Sequence, residues 1–474
     1  MRSMLFLPVC WLLLFLPSCS KHTVNNGPGT GGGGQQGGTG GQKTDTIPTG
    51  GYKLGWQSVL GGTDVDDSYS IIQTRDSGYL VIGSTFSVNS GDVRNNAGSA
   101  DMWIIKLGKN GDTLWTKTLG GSSYDYATCA LATTDGGYIV GGMTSSTGGI
   151  VGKNHGGWDG WIVKLSSKGD WVWGTTVGGS QDDYVYGIAA APDGGYVFVG
   201  ATRSNDNGIT GFHGAVGLAD DILIGKVDGN GNLLWSKAKG GTRDENARSI
   251  VATADGGYAV SGFSGSNDGD LAGTVAYGLN DVCVMKINAG GDITWIKTYG
   301  GSDNEGATGM TTTADGGYLV TGSTASSNSG LVGANHGADD IWLLKLKAGG
   351  DTVWTKLLGG SGTDWATSVI TTSYGGGGYA LAGVSSSNNS GDVGPAHGIY
   401  DVWVVELDSA RKILYEKPLG GTASDVLGGG AAIVRAIGGG GYIVAGSSAS
   451  TNGDLQGQVR SGRSSDNFWI FQLH

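Results

Sequence analysis

The chain has 474 residues, of which 95 are Gly and only 7 Pro, alongside 15 Trp and 18 Tyr. Abundant glycine without proline, but with many aromatics, excludes a disordered chain and suits short strands joined by tight turns. The formal charge is −12, and no segment gathers lysines and arginines, which excludes a nucleic-acid partner.

Residues 1–19 read as an export signal and stand outside fold reasoning. Arg2 precedes the apolar run Met4–Phe15, which is too short to span a bilayer. Leu16-Pro17-Ser18-Cys19 resembles the lipobox of bacterial lipoproteins. That resemblance implies that Cys19 is lipidated and becomes the first residue of the mature chain. Ser20, in place of Asp, implies the outer membrane, on its periplasmic or its surface side, with the lipid as the only membrane contact. Residues 20–50 read as a flexible tether, because Gly27–Gly41 is mostly glycine and buries nothing. Cys129 and Cys283 stand in different repeats and read as buried free thiols.

From residue 51 to residue 474 one unit recurs seven times. A Gly-Tyr pair returns at Tyr79, Tyr138, Tyr196, Tyr258, Tyr318, Tyr379 and Tyr442. A Gly-Gly pair begins at Gly61, Gly120, Gly178, Gly240, Gly300, Gly359 and Gly420, each preceded by a strand centred on Trp56, Trp115, Trp173, Trp235, Trp295, Trp354 or Tyr415. An Asp-x-Trp strand runs through Trp103, Trp161, Trp342, Trp403 and Trp469, with Leu223 and Cys283 in the tryptophan place of the other two units.

Each unit holds four short strand signals punctuated by Asn-Gly, Asp-Gly or Gly-Gly turns. Strands such as Tyr138-Ile139-Val140 are apolar on both faces, as in a sheet held between two neighbours. The expected fold is all-β, a seven-bladed β-propeller of four-stranded blades. The Asp-x-Trp strand is placed innermost, the Gly-Gly strand second and the Tyr strand at the rim. The long link after the Tyr strand, as at Thr144–Asp159, then crosses to the next blade. The chain would start on a strand near Trp56 and end on Phe468–Leu473, so the N- and C-terminal strands close the ring within one blade. Seven self-contained blades with strand roles shifted by one are the alternative.

Gly120-Gly121-Ser122-Ser123-Tyr124-Asp125-Tyr126-Ala127, followed by Asp135-Gly136-Gly137-Tyr138-Ile139-Val140, resembles the bacterial β-propeller repeat abbreviated SBBP. It is also similar to the Asp-Gly-Gly-Tyr repeats of Bacteroidota lipoproteins. The resemblance covers all seven units and implies a fold; the Gly-Gly-Tyr form departs from the Gly-Asn-Val-Tyr version of SBBP.

Four residues past each Gly-Gly pair stands an acid: Asp66, Asp125, Asp183, Glu245, Glu305, Asp364 or Asp425. A ring of metal or catalytic carboxylates would look like this, and so would a set of turn braces; recurrence in every unit favours structural acids. A second Asp opens the Asp-x-Trp strand at Asp101, Asp159, Asp221, Asp281, Asp340 and Asp401. His155, His336 and His397 stand four residues before it, with His213 nearby, and read as structural. Asn267–Asp270 and the Asn-Ser-Gly-Asp segments at Asn89 and Asn389 are oxygen-rich enough for Ca²⁺, yet lack EF-hand spacing and read as Asx turns. No other metal or cofactor is expected.

Departures from the repeat are the better functional signals. Trp158, Phe212 and Tyr400 are extra aromatics beside the inner-strand Asp, and Trp365 and Tyr126 follow the braced acid. Aromatic planes beside carboxylates suit a glycan or a protein partner, neutral or cationic given the acidic surface. No hydrolase, protease, phosphate-loop or zinc pattern is present, and no catalytic residue is assigned. The expectation is a monomeric, non-enzymatic binding or scaffolding module. A polysaccharide hydrolase or lyase on the same scaffold, or a purely structural envelope component, is the alternative.

Overall fold

A computed structural model describes residues 51–372, 377–458 and 466–474; the signal, Cys19 and the tether lie outside the described residues. Its first strand is β1 (Leu54–Leu60), followed by β2 (Asp66–Gln73), β3 (Tyr79–Thr85), β4 (Asp101–Leu107) and β5 (Thr113–Leu119). β2 to β5 form one antiparallel sheet in sequence order, and the same sheet recurs from Asp125, Asp183, Glu245, Glu305 and Asp364. β1 pairs instead with the last strand, Asn467–Leu473, which pairs in turn with Tyr442–Ser448. The chain is therefore a seven-bladed propeller, with both termini in one blade.

The strands that open on the repeated acid touch one another from blade to blade around a closed circle. They line the axis, so each blade runs outward as acid strand, Tyr strand, Asp-x-Trp strand and Trp strand. This corrects the radial order expected from sequence. The Asp-x-Trp strand is third rather than innermost, the Gly-Gly strand is at the rim rather than second, and the Tyr strand is second rather than at the rim. The long link joins second to third strands within a blade, while the Gly-Gly link carries the chain from the rim to the next inner strand. Three strand spacings of about 4.8 Å separate rim from centre, and a link of about five residues spans that at ~3.3 Å each.

Second and third strands are buried along their whole length, as in Tyr79–Thr85 and Asp101–Leu107, because neighbouring blades cover both faces. The cores accordingly lie between blades. Phe468 and Ile470 join Ile71, Tyr79, Val81 and Trp103 of the first blade. Trp469, Phe471 and Leu473 face the other way, into Val402, Val404 and Leu419. The closing strand thus feeds two cores through its two-residue alternation. Its termini are tied by the Lys53 N–H to the His474 carbonyl at 2.9 Å and by the His474 N–H to the Lys53 carbonyl at 3.0 Å.

Tight turns occupy the face opposite the links. At Gly136, φ is +82°, a conformation glycine adopts freely. The Asp135 carboxylate accepts the Gly137 N–H at 3.0 Å and lies 2.8 Å from the Nζ of the buried Lys164. The same Lys–Asp pair recurs at Lys106–Asp76, Lys226–Asp193, Lys286–Asp255 and Lys345–Asp315.

The axial mouth as candidate functional site

Both sets of repeated carboxylates sit on the link-bearing face. Each acid at the head of an inner strand is buried. Asp125 accepts the Gly121 N–H at 2.8 Å, the Ser146 hydroxyl at 2.8 Å and the Thr144 hydroxyl. Asp183, Glu245, Glu305, Asp364, Asp425 and Asp66 take the equivalent N–H at 2.6–2.8 Å. Burial raises Asp66, Asp125, Asp183, Glu245 and Asp364 above the ordinary carboxylate value, to about 6 at Asp66 and about 7 at Asp183 and Glu245, against the pull of their hydrogen bonds.

The second Asp approaches the same glycine from the preceding blade. A Cβ on Gly120 would lie 2.4 Å from Asp101 Oδ1 and 2.6 Å from Asp125 Oδ2. Oδ1 of Asp101, Asp159, Asp221, Asp281, Asp340 and Asp401 has no hydrogen-bond partner among the described residues. His155 and His336 place Nδ1 at 2.8 and 2.6 Å from Asp159 and Asp340. Each histidine thus holds the carboxylate of its own blade, and the described residues contain no group of three or more His, Cys, Asp or Glu placed to share a metal. Asp268 accepts the Thr242 N–H at 2.8 Å and its hydroxyl at 2.7 Å, and Asn89 accepts the Asn95 N–H at 2.8 Å. Cys129 and Cys283 are buried free thiols, and burial pushes Cys129 up to about 12.

What differs from blade to blade gathers around the axis on the link-bearing face. Trp158 stacks on Tyr126 at 5.5 Å and lies 6.2 Å from Tyr124, which stacks on Tyr126 at 6.4 Å. Phe86 lies 6.3 Å from both tyrosines. Tyr126 is only 2% exposed and forms the floor of this platform; Trp158, Tyr124 and Phe86 are half-buried. Across the ring, Trp365 meets Tyr400 edge-on at 5.4 Å, both half-buried. Phe212 joins neither group and packs against the core around Phe198 and Leu223.

Between these sectors the inner strands carry a polar stretch. Arg203 donates from Nε to Asp220 at 2.8 Å and lies 3.6 Å from Asp182. Tyr184 stacks on Tyr186 at 5.9 Å, and the Arg248 guanidinium lies 4.1 Å above Tyr186. Asp67 also lies at the mouth, raised to about 7 by burial and then by Asp466 and Asp66. Phe86, Tyr124, Tyr184, Tyr186, Arg203 and Arg248 were missed in the sequence. Tyr184 shares the repeat position of Tyr126, Tyr124 flanks it, Tyr186 and Arg248 stand two residues further on, and Phe86 and Arg203 each follow a Tyr strand, so comparing the units position by position would have found them.

A cleft of about 350 Å³ opens between the long loops of the last two blades, lined by Pro395, His397, Glu416, Lys417, Pro418 and Asp454. Its charges face one another: Lys417 lies 3.7 Å from Asp454, and Glu416 accepts the Trp403 N–H at 3.0 Å.

No family model matches the chain. No curated protein matches it either. Among solved structures it is similar to the Pan2 WD40 domain of Neurospora crassa, at 10% identity and TM-score 0.43, covering 88% of this chain and 95% of that one. It is also similar to an α-L-arabinanase of Penicillium chrysogenum, at 10% identity and TM-score 0.41, covering 89% and 98%. A DUF4221-family protein of Bacteroides vulgatus aligns at 9% identity and TM-score 0.36, covering 91% and 99%. At these values the likenesses carry no argument about activity.

Proposed function

We propose that this chain is a non-enzymatic binding module, held at the outer membrane by lipid on Cys19, that takes a glycan at its axial mouth. The observation that supports it is the Phe86–Tyr124–Tyr126–Trp158 cluster, with ring centroids 5.5–6.4 Å apart and Tyr126 stacked on Tyr124 and Trp158, on the face that also carries the variable loops. Flat aromatic faces take the C–H faces of sugar rings, and neighbouring polar groups take the hydroxyls. The acids that head the inner strands are occupied in bracing turns.

Two substitutions test the two halves of this reading. Cys19→Ala should move the protein from the membrane to the soluble fraction; a variant that still needs detergent argues against the anchor. In that soluble background, screened on a glycan array, Trp158→Ala with Tyr400→Ala should weaken binding at least tenfold. Stability should stay within about 1 kcal/mol, as expected for positions that are not fully buried. Undiminished glycan binding by this double variant would remove the aromatic mouth from the function.

One observation favours a second reading, a polysaccharide-cleaving enzyme. Asp67, at a position where the other blades have no acid except in their braces, is raised to about 7 by burial, with Asp466 and Asp66 adding to it. It would hold a proton near neutral pH, as a general acid must. Release of reducing ends from a bound polysaccharide, lost in Asp67→Asn, would favour that reading over simple binding.

A further inference from the structure

Six of the seven inner strands carry a bulge where pairing to the second strand slips by one residue. The extra residues are Tyr69, Thr128, Tyr186, Arg248, Thr308 and Thr367, and they form a belt around the axis below the mouth. Most of the belt is satisfied from within: Thr128 donates to the Val185 carbonyl at 2.6 Å and Thr308 to the Ala366 carbonyl at 2.5 Å, each in the next blade.

Arg248 is different. It is half-buried and stacks over Tyr186 at 4.1 Å, yet its guanidinium makes no hydrogen bond or ion pair with another described residue. Asp220, whose charge it feels, is already held by Arg203 at 2.8 Å. Beside it, Asn246 stands against the Tyr186 phenol, is 95% buried, and leaves Oδ1 without a hydrogen-bond partner among the described residues. A half-buried fork of donors and a buried orphan acceptor, both against one aromatic ring, are two unmet demands at one place.

We propose that Arg248, Tyr186 and Asn246 form a subsite for a uronic acid residue of the glycan. The guanidinium takes the carboxylate, with the strength of a charge-assisted pair. Asn246 Oδ1 accepts a hydroxyl of the same sugar, and Tyr186 supports the guanidinium from below. A sulfate would satisfy the guanidinium but brings no donor for Asn246. The formal charge of −12 disfavours a dense polyanion, so the ligand carries isolated uronates on an otherwise neutral chain. This rests on the glycan reading above and names its sugar chemistry.

The test compares methyl β-D-glucuronide with methyl β-D-glucoside, which differ only in the carboxylate. Affinities are read by ligand-observed NMR on the soluble Cys19→Ala chain and its Arg248→Gln variant. The glucuronide should bind at least tenfold more tightly than the glucoside, and Arg248→Gln should erase that preference at an unchanged Tm. Equal affinities in the parent chain, or a preference that survives Arg248→Gln, overturn the subsite. An acetylated dipeptide with a free C-terminus, run against its amide, gives the competing source. Arg248-dependent preference for that peptide without one for the glucuronide also overturns the uronate. Neutral oligosaccharides that bind through Trp158 and Tyr400 without any glucuronide preference leave the glycan reading standing. Failure of every saccharide removes both.

Discussion

A buried carboxylate appears at each blade junction because a short link needs an acceptor for its N–H groups. Burial raises the proton affinity of several of them, to about 6 at Asp66, Asp101 and Asp281 and about 7 at Asp183 and Glu245. A folded pKa above the unfolded value of about 4 contributes stability that is complete below that value and lost as pH rises through 6 to 7. The Lys-paired turn acids act in the opposite sense. Asp315 is lowered to about 2 by Lys345, so its contribution is present above pH 4 and lost below it. That side chain is 61% exposed, so the pair is weak and screened by salt. Tm should therefore be highest near pH 4–5 and fall steadily to pH 8. Thermal melts at constant ionic strength check this, and a Tm that climbs from pH 5 to 8 contradicts it.

At the scale of the element, the Gly-Gly link accounts both for what the sequence made legible and for what it hid. The hairpin pairing of Asp-x-Trp and Trp strands was readable from its turn dipeptides, and from it came the pairing of Phe468–Leu473 with the strand around Trp56. The radial order was not readable. Second and third strands are equally apolar on both faces, so periodicity does not tell centre from rim, and the longer link was given the longer crossing. The braced acids were recognisable from their spacing. The burial of Tyr126 was not, since an aromatic after a strand-opening acid reads the same on the surface or beneath Trp158. The first glycine of each pair is required for a reason only the fold reveals: side-chain oxygens from successive blades close on its Cα, two carboxylates in six units and Asp66 with the Asn467 amide at Gly61. Gly120→Ala would put a Cβ 2.4 and 2.6 Å from their oxygens. It should cost about 1–3 kcal/mol, the usual range for overpacking. Gly136→Ala, strained by φ but with open space around it, should cost less than Gly120→Ala. Urea unfolding of the two variants decides the order, and equal or reversed costs would dismiss the carboxylate clamp.

For the whole molecule, the ring makes each blade depend on two others, and the last blade is where the dependence is greatest. Phe468, Trp469, Ile470, Phe471 and Leu473 are fully buried, and alternate residues enter the cores on either side of one strand. Deleting residues 467–474 removes five large side chains worth roughly 1.5–3 kcal/mol each. It also strands β1 without a partner and opens the edge of Tyr442–Ser448. The sum matches or exceeds the ~5–15 kcal/mol that typically holds a domain together. The loss should not stay local, because the two cores belong to the first and sixth blades as much as to the seventh. The truncated chain should lose its single cooperative transition, not merely one seventh of the unfolding enthalpy. Trp469→Ala gives a graded form of the same test: it keeps the strand, leaves a cavity in one core, and should cost about 3–5 kcal/mol. Calorimetry separates the outcomes. A truncated chain that melts in one transition at the parent midpoint would mean that the other six blades hold the ring without its closing strand.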